Sequence, residues 1–182
     1  MSAANRSGFR PARTPDTRYV NNLPVSAGNR AVCKGDMVRY VAGRLTAAEA
    51  GMDPGAIYGV IIDVFTTANR PLTFNTAKCI VSGGVGRADV CWDPNMTYFV
   101  KCETSVGVGD LPVNGMIDVS AFNTTLGLSG QAVAVQTSAS VGNPVKILNV
   151  SPFAELGGKG TGMEAGQEVE VYINNHLLKA GT

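Results

Sequence analysis

The sequence predicts an all-β protein: a barrel or sandwich of short antiparallel strands, preceded by an extended N-terminal arm. Three observations carry that expectation. Short β-branched runs recur roughly every ten residues, with Gly, Asn, Pro and Ser between them. No apolar pattern of helical period is long enough to alternate with those runs, which argues against a βαβ unit. The 22 glycines and 45% hydrophobic residues supply both the turns and a core large enough to hold them.

Residues 1–28 read as the arm. Arg6, Arg10, Arg13 and Arg18 stand against one acid, Asp16, among Pro11, Pro15 and Pro24. Prolines favour extended backbone, and no hydrophobic period appears. Guanidinium groups suit bidentate contact with carboxylates, so these four arginines are the candidate partner-binding residues, reaching a neighbouring subunit or an acidic surface.

Residues 29–182 read as one barrel-like domain. Residues 37–41 alternate as a strand, and 46–50 suggest a single helical turn ended by Gly51 and Pro54. Residues 57–66 are nearly continuously apolar, as a strand buried on both faces would be. A strand at 77–81 follows. Residues 87–92 and 97–102, separated by Asp93-Pro94-Asn95, suggest a hairpin or meander. Further strands are expected at 116–119, 132–135, 145–150 and 168–173, the last with Val169, Val171 and Ile173 facing inward. No clean repeat stands out.

Charged residues make up only 16% and the net charge is +1. A weakly charged, amide- and hydroxyl-rich exterior suits contact with other protein. It carries no electrostatic footprint for nucleic acid. No apolar run has the length of a membrane-spanning helix, and no hydrophobic segment follows the first residues, so a cytoplasmic site of synthesis is expected. Cys33, Cys79, Cys91 and Cys102 are widely spaced within β-like runs and read as small buried hydrophobes. A bond from Cys79 or Cys91 to Cys102 stays open.

Groups that could do chemistry are sparse. Gly157-Gly-Lys-Gly-Thr161 lacks the spacing and the following helix of a phosphate loop. His176, the lone histidine, has no nucleophile-elbow pattern to serve and no companions at metal-ligand spacing. Asp36, Asp63, Asp89, Asp93, Asp110 and Asp118 are scattered, and Asp36 and Asp93 suit turns. Neither a metal nor a cofactor is expected, and an enzyme is not the favoured reading.

Several segments taken in order resemble the head decoration, or cement, proteins of tailed bacteriophages. They are Gly35-Asp36-Met37-Val38 with Val41-Ala42-Gly43, Tyr58-Gly-Val-Ile61, and Trp92-Asp-Pro-Asn95 with Phe99-Val-Lys101. Asn123-Thr-Thr-Leu-Gly-Leu-Ser-Gly130, Val145-Lys-Ile-Leu148 and Val169-Glu-Val-Tyr-Ile-Asn-Asn-His176 follow. The likeness is one of strand-and-turn pattern over residues 30–178; the cysteines, Leu128 and the Arg/Pro arm depart from it. It implies a β-barrel on the outer surface of an icosahedral head, near capsomer junctions, with the major capsid protein as partner. It also implies a homotrimer, with a dimer as the alternative, assembled onto the virion in the host cytoplasm. Several modest contacts made by one oligomer would gain avidity against capsomer separation. The competing readings are a head fibre base or a tail or adsorption component, a carbohydrate-binding sandwich stacking sugars on Trp92, Tyr98 or Tyr172, and a hydrolase using His176.

Overall fold

The computed structural model describes residues 8–50, 57–72, 78–119, 127, 129–136, 143–150 and 167–174. Their strands are β1 (Arg10–Pro11), β2 (Val20–Ser26), β3 (Met37–Val41), β4 (Arg44–Ala47), β5 (Ile57–Phe65) and β6 (Val85–Cys91). They continue with β7 (Thr97–Lys101), β8 (Val113–Val119), β9 (Gln131–Gln136), β10 (Val145–Val150) and β11 (Glu168–Ile173). The all-β expectation holds.

β2 to β6 form a closed barrel in the order β2-β4-β3-β5-β6. All its neighbours are antiparallel except β2 and β4, which run parallel with Val25 beside Leu45. The remaining strands form a sheet in the order β1-β7-β11-β10-β8-β9. That sheet rolls round until Cys102, just past β7, meets Val133 of β9 in a parallel bridge. β1 lies along β7, where Gly8 N–H donates to Gln131 O at 3.0 Å and Ala12 N–H to Thr97 O at 2.9 Å. The arm thus seals the seam of a second barrel.

The two barrels follow one plan. In each, the first strand pairs antiparallel with the fifth and parallel with the third, and the second pairs with the third and fourth. The registers agree residue by residue. Leu45 lies opposite Tyr40 and beside Val25; Val133 lies opposite Ile117 and beside Cys102. Ile61 opposes Val90 before a bulge that leads to Asp63; Ile147 opposes Val171 before a bulge that leads to Asn149. At both bulges the side chain, Asp63 or Asn149, accepts the next residue's N–H at 2.9 Å. The turns entering the barrels match too. Asp16 accepts the N–H groups of Arg18 and Tyr19, and Asp93 those of Asn95 and Met96.

The chain is therefore a structural tandem duplication, where the sequence showed no repeat. Inward residues correspond as well. Val25, Leu45, Ile61, Val64, Ala88 and Val90 fill the first core. Cys102, Val133, Ile147, Val150, Val169 and Val171 hold the matching places in the second. The outer face of the first barrel then packs on one end of the second. This is why β5 is nearly continuously apolar: Ile61 and Val64 point into its own barrel, while Ile57, Val60 and Ile62 point into the seam. Gly59 is required between them, because a Cβ there would lie 2.2 Å from Cys91 O.

Five expectations change. Of the strand expected at 77–81, the described residues 78–81 hold only an isolated bridge from Ile80 to Val32. The arm is shorter than residues 1–28, because Val20–Ser26 is a barrel strand paired along its length with β6. The helical turn expected at 46–50 is instead partly β4, since pairing with β3 buries Leu45 and Ala47. β6 and β7 make no hairpin: Asp93-Pro94-Asn95 is the step between barrels, and each strand pairs within its own. Cys33 is bonded to Cys79, while Cys91 and Cys102 are buried thiols.

Candidate protein-docking site

The seam between barrels shows what one end of this barrel type is built to do. The covered end of the second barrel presents Met96, Tyr98, Ile117, Pro144 and Ile173, all buried. Against it lie Met37, Ala48, Ile57, Val60 and Cys91 of the first barrel, with Phe9 of the arm. One polar group clasps the joint. The Gln131 amide accepts from Met37 N–H at 2.5 Å and donates to Ala48 O at 2.7 Å and Met37 O at 3.2 Å.

Beside it, Asp36 closes the turn expected there, its N–H donating to Cys33 O at 3.2 Å, and is buried. Its carboxylate meets Arg30 Nη2 at 2.7 Å, Ser129 Oγ at 2.5 Å and Cys33 N–H at 2.7 Å. Burial pushes the Asp36 carboxyl above its ordinary range, against the opposing pull of the Arg30 charge and these hydrogen bonds. A carboxyl raised on folding binds more protons folded than unfolded, between its ordinary and its raised value. Stability therefore falls as pH rises through that window. Asp36→Asn is expected to delete this downward limb from a stability–pH profile; a limb of unchanged size would assign it to another group.

Among the described residues, none covers the same end of the first barrel. Register places Tyr19 at the position of Met96, Tyr40 at that of Ile117, Tyr58 at that of Pro144 and Trp92 at that of Ile173. Four of the five covered residues are exchanged for an amphipathic aromatic, and Tyr98 for Asn21. Tyr19 and Trp92 meet edge-on at 5.1 Å, and Tyr40 and Tyr58 lie 5.8 Å apart. Asn21 joins the pairs: with its oxygen turned toward the indole it accepts from Trp92 Nε1 at 2.9 Å, that oxygen lies 3.4 Å from Tyr58 Oη, and its nitrogen donates to Val20 O at 3.3 Å. Arg18 extends the strip over the Tyr19 ring at 5.9 Å. Tyr40 is 45% exposed and the adjoining Val41 is 41% exposed. Tyr, Trp and Arg are the residues that dominate separable protein interfaces, since they bury large areas yet tolerate water. The rim is the two-residue turn at Ala42 and Gly43, both at positive φ, which suits the twist of a tight hairpin.

Of the four arginines expected to bind a partner, three lie among the described residues. Arg10 reaches Glu168 at 3.0 Å and stacks over Phe99, Arg13 reaches Asp93 at 3.4 Å, and Arg18 reaches Asp16 at 2.7 Å. These three thus pair with acids of their own chain, because the arm lies on the second barrel and on its own turn. The Arg18 hydrogen bond holds the Asp16 carboxyl down at about 2. Arg6 lies outside the described residues, as do His176 and the loop at 157–161. Of the three aromatic stacking candidates, Tyr98 is fully buried, Trp92 has its edge packed on Tyr19, and Tyr172 is half-buried on β11.

Asp63 and Asp89 oppose one another across β5 and β6, but each accepts a structural hydrogen bond, from Val64 N–H and from the Asn22 amide. Among the described residues no three His, Cys, Asp or Glu side chains gather as a metal site, and no helix is long and apolar enough to cross a membrane. No protein-family description matches the chain, and no curated protein matches its sequence.

Proposed function

We propose that this chain is a structural virion protein that decorates the outer surface of an icosahedral phage head, with the major capsid protein as its partner. The observation that carries this reading is the aromatic end of the first barrel, which marks the chain as one that acts by docking to other protein, a further copy or the shell. The twin of that end within the same molecule is occupied by protein, and its residues are those of a protein-docking surface. A weakly charged exterior and the strand-and-turn resemblance to head decoration proteins support the same reading. Such a protein acts by adhesion, and clamping the shell at several points resists capsomer separation through effective concentration.

The test is to mix the purified protein with phage heads that lack it and pellet the heads. Co-sedimentation that saturates at a fixed ratio to the major capsid protein is expected. Heads that pellet bare at every concentration would overturn the proposal.

A further inference from the structure

We infer that the aromatic end of the first barrel docks on the outer flank of the second barrel of another copy of this chain, repeating between molecules the joint that already exists within one. The inference rests on reading that end as a protein-docking face, and it needs no shell.

An internal joint has two halves, an end and a flank, and the duplication provides a second example of each. The used flank includes Met37, Ala48, Val60, Ile62 and Cys91, with Ile57 at its edge. The matching flank of the second barrel consists of Asn114, Gln136, Lys146, Leu148 and Tyr172. This flank is more polar, as a surface that must also meet water requires. It keeps one apolar residue at a telling place. Leu148 is the counterpart of Ile62, the bulge residue that packs into the internal seam, and it is 37% exposed. Of the five exposed large hydrophobic residues among the described ones, three fall on these two faces: Tyr40 and Val41 on the end, Leu148 on the flank.

The remaining differences make this outer joint reversible. The clasp residue Gln131 has Gly43 as its counterpart, so the end of the first barrel brings no amide to grip a flank. Met37, deep in the internal seam, is matched by Asn114. The contact joins unlike surfaces, so each copy has one donor face and one acceptor face. Such contacts build rings when the rotation closes, and a threefold ring would fit the trimer, rather than the dimer, that the resemblance to head decoration proteins implies.

Three proteins test this by sedimentation in the absence of any shell: the native chain, an end variant Tyr40→Asp, and a flank variant Leu148→Asp. Both substituted side chains are exposed, and an unchanged melting transition confirms the fold of each variant. The native chain is expected to shift from 18.9 kDa to a multiple of that mass as concentration rises. Each variant alone is expected to stay at the single-chain mass. An equimolar mixture of the two is expected to form one-to-one pairs, because one intact end then meets one intact flank. A native chain that stays single, a flank variant that still associates (a symmetric end-to-end contact), or a mixture that fails to pair would each overturn the inference. Head binding by a chain that never self-associates would do so as well, while leaving the decoration proposal intact.

Discussion

Gln131→Leu is expected to destabilise the protein by about 2–5 kcal/mol, because it leaves buried backbone groups without partners. The substitution keeps much of the side-chain volume, so packing is a minor part of the effect. Met37 O still accepts from Ala48 N–H at 2.8 Å. Met37 N–H and Ala48 O lose the amide that serves them in the seam. For a chain of this size the cost corresponds to a fall in Tm of roughly 5–20 °C. Because the amide joins the barrels, the loss should also blur the single unfolding transition into two. Gln136→Leu, on the same strand but half-buried at its far end, is the control and should change stability by less than about 0.5 kcal/mol. Equal effects from the two substitutions would show that the clasp contributes nothing special.

The second large effect concerns Cys33 and Cys79, 46 residues apart, whose bond ties the approach to β3 to the segment before β6. Val32 and Ile80 pair beside it through two backbone hydrogen bonds, at 2.8 and 2.9 Å, so the bond locks a contact already made. Closing a loop of that length removes about 4 kcal/mol of unfolded-state entropy in the chain-entropy model, and removing native disulfides typically costs about 2–5 kcal/mol. The double variant Cys33→Ser/Cys79→Ser is therefore expected to lose about 2–4 kcal/mol in denaturant titration. Thiol counting gives an independent check: unfolded without reductant, the native chain should expose only Cys91 and Cys102. Four reactive thiols in that experiment would remove the bond and this prediction together.

Most strands were legible in the sequence because alternation and β-branching are local; β2 and β4, which lack a clean alternating run, were not. The pairings were not. Asp93-Pro94-Asn95 has the chemistry of a tight turn whether it reverses a strand or passes the chain to a second barrel, and only partners far away decide which. Ala47, Ala48 and Ala50 suit a helix, yet burying Leu45 and Ala47 beside β3 outweighs that weak preference. The duplication is written in register and bulges more than in identity. Its faint traces are Val60-Ile-Ile-Asp-Val64 against Lys146-Ile-Leu-Asn-Val150, and the aspartates opening each entering turn. The docking end had no linear signal, because Tyr19, Tyr40, Tyr58 and Trp92 come together only when the first barrel closes. The turn at Asp36 was legible but its burial was not, for a similar reason: its hydroxyl partner Ser129 lies 93 residues away.

The order in which the chain is made also matters. The first barrel draws all its strands from residues 20–91 and the second from residues 97–173, so neither awaits a strand from the other. As the polypeptide leaves the ribosome the earlier barrel can finish before the later one exists. What it exposes meanwhile is the apolar wall of β3 and β5, and that wall stays wet until β9 arrives.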